Sequence, residues 1–210
     1  MGDIDAIFKS YDVRGLYPHE IDERLCQNIG LAFASFLLEE DPQITQIIVG
    51  IDMRPSSKDL SEHFIKGIIS LGVDVIYLGL SSTDMLYYAS GVLGSPGAIF
   101  TASHNPADYN GIKLCRAYAV PIGEGSGLER VKSLCDTQIK IPNEANGNVI
   151  HLDLLEGFTD HILSFVNPET IADKRIIADT ANGMGGLIVP SVFRHIPSEI
   201  NILYEELDGS

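Results

Sequence analysis

From residue 21 the apolar positions Ile21, Leu25, Ile29, Phe33 and Leu37 recur at every fourth residue, which lays one apolar stripe along a helix and predicts a helix through 21–40. The stretch 46–52, QIIVGID, has a different pattern: a short apolar run rich in β-branched residues that ends in polar ones predicts a buried strand. A second helix follows over 56–72, with Leu60, Phe64, Ile65, Ile68 and Ile69 on one side, Ser56 and Asp59 in the arrangement of a capping box, and Gly72 as the stop. A strand at 73–79, a helix at 83–94 and a strand at 97–103 complete the run, and the last strand delivers Ser103.

This alternation predicts an α/β fold, a layered sheet with helices on both faces. Ligands of such sheets sit beyond the carboxyl ends of the strands, so the loops 51–57 and 103–111 share one rim if their two strands run in the same direction. Past Ile122 the pattern loosens. Residues 123–127 form a flexible connection, 128–136 a helix, and 139–149 carry the proline, asparagines and glycine of a linker or irregular arm. A second α/β pattern then begins, with a helix at 152–166, a strand at 174–180, a turn at 181–186, a helix at 187–196 and a strand at 199–207. Two strands with so little helix cannot bury both faces of a sheet. The expected division is therefore a domain over 1–150 and the opening of a second, similar α/β domain over 151–210, its remainder lying outside the chain. Such a partial sheet would expose apolar surface and an unpaired edge, leaving it poorly ordered or open to self-association.

The chain has 210 residues, 45% of them hydrophobic, enough for a real core. No apolar run approaches the roughly 20 residues that span a bilayer, and the N-terminus lacks the pattern of a signal peptide, so the cytoplasm is the expected compartment. Cys26, Cys115 and Cys135 are odd in number and widely spaced, which fits buried thiols better than a disulfide framework or a zinc site. A net charge of −15, from 14 Lys and Arg against 29 Asp and Glu, argues against nucleic acid or an anionic membrane as the main partner. It leaves room for a small anionic substrate, because a few placed cations outweigh a diffuse, screened surface field.

Those cations and a hydroxyl lie in turn-marked segments. The loop TASHNPADYNGIKL, 101–114, sets Ser103 beside His104 and closes on Lys113; Arg14 lies in SYDVRG and Arg54 in DMRPSS. Taken singly each has an ordinary reading: a turn serine, a loop histidine, a solvated strand lysine, arginines that steady a turn or a helix start. Together they are the set that phosphoryl transfer requires, namely a hydroxyl to carry the group, an acid/base beside it, and cations for the non-bridging oxygens. A serine hydrolase is the weaker alternative, since no G-x-S-x-G elbow surrounds Ser103. A binding module that keeps the fold without turnover is another. In DTANGMGG, 179–186, Asp179 and Asn182 suit a tight strand-to-helix connection better than a metal or dinucleotide site.

Four segments in order, YDVRG (11–15), GIDMRPSS (50–57), TASHNPADYNGIK (101–113) and DTANGMGG (179–186), resemble the N-terminal part of the α-D-phosphohexomutases of the phosphomannomutase/phosphoglucomutase branch, over essentially the whole chain. The resemblance implies a three-layer α/β/α domain with a mixed sheet, and reversible transfer between the 1- and 6-positions of a hexose phosphate through a phosphoserine and a hexose 1,6-bisphosphate. It casts Ser103 as phosphoryl carrier, His104 and Lys113 as acid/base and phosphate-neutralising groups, and Arg14 as a catalytic cation near the reacting phosphate. Tyr11, Arg54 and Asn110 become substrate- or phosphate-binding residues. It further implies one Mg²⁺, held by the phosphate on Ser103 and by aspartates outside these residues, and glucose or mannose 1,6-bisphosphate as activator. The 210-residue chain by itself is then expected to be inactive.

Overall fold

Two helices that meet through glycine cover, with a third, one face of the first unit's sheet. The computed structural model describes residues 4–142 and 146–210. It begins with α1 (Ile4–Ile7), β1 (Val13–Leu16), α2 (Glu23–Glu40), β2 (Gln46–Ile51), α3 (Ser57–Ile69), β3 (Asp74–Leu80), α4 (Thr83–Leu93), β4 (Gly97–Phe100) and β5 (Tyr109–Arg116). It continues through β6 (Val120–Ile122), α5 (Leu128–Cys135), β7 (Val149–His151), α6 (Leu155–Leu163), β8 (Arg175–Asp179), α7 (Gly185–Phe193) and β9 (Glu199–Leu203). Two compact units part between Leu152 and Asp153.

In the first unit the predicted stripe of α2 is buried, from Ile21 through Leu25, Ile29, Phe33 and Leu37, and Asp22 caps the helix by accepting from the Leu25 amide at 2.7 Å. A β-carbon added to Gly30 would lie 2.0 Å from the Phe64 carbonyl oxygen, and one on Gly67 2.2 Å from that of Gln27, so α2 and α3 approach to backbone distance. Phe64 of α3 stacks on Phe33 and meets Phe100 of β4 edge-on, with ring centres 6.1 and 5.4 Å apart. The helix pair is thereby fastened to the strand that leads into the serine loop.

Strands hydrogen-bond in the order β1-β5-β4-β2-β3-β7, with β6 also on β5. β2 is parallel to β3 and β4, and β7 is parallel to β3, while β5 runs antiparallel to β1, β4 and β6. The sheet is mixed, as the resemblance implied. Alternation along β2 divides its faces: Ile47, Val49 and Ile51 join the core beneath α2, α3 and α5. On the other face a β-carbon on Gly97, the partner of Ile48, would meet Leu86 of α4 at 2.7 Å. The layers are therefore helix, sheet, helix. Among the described residues no helix is long and apolar enough to cross a membrane.

Two local expectations are corrected. Ser56 makes no side-chain cap on α3, because its backbone is already helical and its hydroxyl accepts from Asn110 instead. The segment expected to be an irregular arm, 139–149, runs into β7, whose backbone extends the sheet beside β3; part of that segment lies outside the described residues. β1, β5 and β6 carry no strand prediction; β5 is recognisable as a strand only through its partners on either side.

In the second unit β8 and β9 pair in parallel, and the Thr159 and Ser191 hydroxyls of α6 and α7 meet at 2.7 Å in a buried contact. DTANGMGG makes the tight connection expected of it. Asp179 accepts from the Ala181 amide, Ala181 and Asn182 adopt positive φ, and a β-carbon on Gly186 would fall 1.9 Å from the Glu205 carbonyl oxygen. Ile177 on β8 is 72% exposed.

Candidate active site

The parallel pairing of β2 and β4 brings the loops after both strands to one rim, and Arg54 joins them. Its guanidinium donates to the carbonyl oxygens of Ser103 (2.9 Å), Asn105 (2.6 Å), Pro106 (2.7 Å) and Tyr109 (2.9 Å). Fixing the backbone of one residue costs about 1–2 kcal/mol, while a hydrogen bond from a charged group contributes about 1.5–3 kcal/mol. Four such bonds are the right size to hold the loop from Ser103 to Tyr109. Asp52 accepts from the Arg54 amide at 3.1 Å and from the Ser57 hydroxyl at 2.6 Å, and its second oxygen lies 3.3 Å from Arg54 Nε. That Nε–H does not point along a hydrogen bond, so this last contact is electrostatic only. Arg54 was expected among the phosphate contacts. Its side chain is instead 4% exposed and its two amino groups are occupied by carbonyls, which makes it the clamp of the loop.

Asn110 is corrected in the same sense. It is 0% exposed, donates to the Ser56 and Ser57 hydroxyls at 2.8 and 3.0 Å, and accepts from the Gly111 amide. It fixes the start of α3 against β5.

Ser103 stands exposed on the clamped loop with φ of 56°, a left-handed conformation that costs a non-glycine residue about 1–2 kcal/mol. Its amide donates to Thr101 Oγ1 at 3.0 Å, and the Asn105 amide and side chain both donate to the Ala102 carbonyl, so the surrounding turn holds that conformation in place. The hydroxyl faces His104 Nδ1 at 3.4 Å, a long contact. The loop leads into β5, where the nucleophile elbow of an α/β-hydrolase would lead into a helix.

On the neighbouring strands Arg14 pairs with Gly111, and the Gly111 carbonyl accepts from the Thr101 amide, so Arg14, Gly111 and Thr101 form one row across the sheet. Lys113, two residues beyond Gly111, shares its face. Sequence reasoning passed over the residue that joins these cations, Asp12. Its carboxylate accepts from Arg14 at 3.0 and 3.1 Å and from Lys113 Nζ at 3.1 Å. Arg14 Nε is buried without a hydrogen-bond partner among the described residues. A signal for Asp12 was present: Asp-x-Arg occurs at 12–14 and again at 52–54, and both arginines contact the carboxylate two residues before them. Tyr11 is 80% exposed just before β1.

A cavity of about 380 Å³, lined by Phe8, Lys9, Glu124 and Leu128 among others, shares no residue with the serine loop, which lies on open surface. Burial pushes the Cys26 and Cys115 thiols up and Cys135 to about 12, which disfavours the reactive thiolate at neutral pH. The magnesium expected from the resemblance has one assigned ligand here, the phosphate of a modified Ser103. Among the described residues no group of three or more His, Cys, Asp or Glu side chains could hold a metal ion, and Asp12 and Asp52 are already engaged by cations. These residues do not form a magnesium site.

Fold and site together define an α/β/α domain that presents a clamped serine loop and a carboxylate-linked cation pair on a mixed sheet. The chain belongs to the family described as phosphoglucomutase/phosphomannomutase, alpha/beta/alpha domain I, whose model matches residues 5–137. It is 33% identical over 209 residues to a phosphomannomutase of Vibrio cholerae serotype O1, covering 97% of this chain and 45% of that protein. To the phosphomannomutase of Escherichia coli K12 it is 34% identical over 188 residues, covering 88% and 40%. A crystal structure of a phosphoglucomutase/phosphomannomutase family protein from Burkholderia thailandensis superposes with a TM-score of 0.87 at 25% identity, over all of this chain and 46% of that one. The chain thus spans about half the length of the relatives it matches.

Proposed function

We propose that these residues are the phosphoryl-carrying part of a phosphohexomutase, an isomerase that moves phosphate between the 1- and 6-positions of a hexose. The observation that carries the reading is Ser103, exposed in a left-handed conformation on a loop whose carbonyls a buried arginine holds. Backbone strain kept in place by so many bonds is characteristic of working sites. In the proposed step the phosphorus–Oγ bond of phosphorylated Ser103 breaks and a phosphorus–oxygen bond forms to a hexose hydroxyl. The hydroxyl proton leaves to a base and Oγ regains one. His104, with Nδ1 facing Oγ, is suited to hold a proton at that atom. Lys113 and Arg14 are suited to stabilise the charge that gathers on the phosphoryl oxygens. Hexose 1,6-bisphosphate, of glucose or mannose, is the proposed source of the phosphate on Ser103, and the cytoplasm the proposed compartment. Self-association through the second unit stays part of this proposal.

Exposure of a protein containing these residues to hexose 1,6-bisphosphate, followed by intact mass and peptide mapping, tests the reading. The expected result is a gain of one phosphate on Ser103, its absence in Ser103→Ala, and a loss of turnover in that variant on the order of 10³-fold or more. Hexose-phosphate binding with no mass gain would support the non-catalytic binding module instead. Near-normal turnover by Ser103→Ala would refute the carrier role.

A further inference from the structure

Two cations of like charge do not sit side by side without cause. Lys113 and Arg14 come from different strands, β5 and β1, and their only shared partner among the described residues is the Asp12 carboxylate. That carboxylate is 5% exposed, at the residue just before β1 begins. Lys113 and Arg14 keep 28% and 32% of their side chains open to solvent, so the carboxylate lies beneath them and their outer surfaces remain free. A buried carboxylate is stable only when its lone pairs are filled, and here cations fill them: Oδ2 accepts from both Arg14 and Lys113, and Oδ1 from Arg14. Asp12 is itself tied down, because its carbonyl accepts from the Lys9 amide at 2.8 Å.

The geometry points to Asp12 as the positioning residue of the phosphate site. By holding both cationic heads from below, it fixes their spacing and offsets their mutual repulsion, and it leaves the solvent-exposed parts of both heads for the non-bridging oxygens of the transferring phosphoryl group. This rests on the proposed phosphoryl transfer for its consequence, while the arrangement of the two heads is a property of the chain alone. Removing the carboxylate should act most strongly where the placement of the two heads matters most, on the geometry of the transferring group in the transition state, and so on kcat more than on KM.

The experiment compares wild type, Asp12→Asn and Asp12→Glu in a protein containing these residues, by steady-state kinetics and by crystal structures of each. The expected result for Asp12→Asn is a fall in kcat of about 10- to 100-fold with KM changed by less than about 3-fold, a melting point close to wild type, and separation of the Arg14 and Lys113 heads. Asp12→Glu, which keeps the charge one methylene further out, should recover part of the loss. Where Asp12→Asn does not fold, Asp12→Glu carries the test, with a smaller kcat loss and displaced heads. Unmoved heads, an unchanged kcat, or a rise in KM alone would each overturn the assignment. A wild type without turnover would count against the proposed function only; the crystal structures would then decide the positioning role alone.

Discussion

Asp12-Val13-Arg14 and Asp52-Met53-Arg54 show one three-residue pattern put to two uses. Arg14 keeps about a third of its side chain in solvent above its carboxylate, whereas Arg54 is buried with its amino groups on four carbonyl oxygens. The difference is in what lies next to each: an open sheet edge for one, the carbonyls of the serine loop for the other. Arg54→Ala leaves buried Asp52 without its cation and the loop without its clamp, a situation that costs about 3–5 kcal/mol. In a urea titration the midpoint should fall with the slope unchanged, and the fall multiplied by the slope should equal that loss. A change under about 0.5 kcal/mol would mean that the loop is held by something else. Arg14→Ala, at a partly exposed position, should cost clearly less stability.

At the scale of elements, α2 and α3 pack backbone to backbone. Helix propensity alone would favour alanine at Gly30 by about 1 kcal/mol. The added methyl would fall 2.0 Å from the Phe64 carbonyl oxygen, where neither helix backbone can yield cheaply, and overpacking of this kind costs about 1–3 kcal/mol or more. We therefore expect Gly30→Ala to lower stability. Gly91 in α4 provides the control, since a β-carbon there meets nothing within 4 Å, and Gly91→Ala should raise stability by about 0.4–1 kcal/mol. Paired thermal melts settle it, and an increase for both would show that the helices separate at no cost. The Phe33–Phe64–Phe100 contacts give this packing a functional bearing, because they link the helix pair to the strand leading to Ser103.

For the molecule as a whole, the sheet of the first unit is covered on both faces and carries the proposed carrier and its cations, yet the described residues hold no cluster of three acids or imidazoles for a metal. The second unit contributes two paired strands with a largely exposed Ile177. On the proposed function, the 210-residue polypeptide is expected not to interconvert hexose 1- and 6-phosphates, and a phosphohexomutase containing these residues is expected to do so. A coupled assay on each, with mass spectrometry to exclude carry-over between them, is the measurement. Appreciable turnover by the 210-residue species would show that these residues suffice, and would remove the need for groups from elsewhere.

Local sequence signals are enough for some of the elements. A period of four apolar residues made α2, short β-branched runs made β2 and β3, and the turn chemistry of 179–186 made a tight connection, because each depends on neighbours within a few residues. The ordered motifs likewise singled out Ser103, Arg14 and Lys113. Tertiary structure decided the rest. β1, β5 and β7 are strands because a partner offers hydrogen bonds, which no short window of sequence records. Asn110 and Arg54 look like ligand-binding residues in the sequence, since polar side chains near a reactive loop suit a phosphate as well as a carbonyl. Folding sets them against buried hydroxyls and carbonyls across some fifty residues of chain, and Asp12 against Lys113 across a hundred. Which polar group meets which is fixed by strand order and register, and those depend on contacts that only the assembled sheet can make.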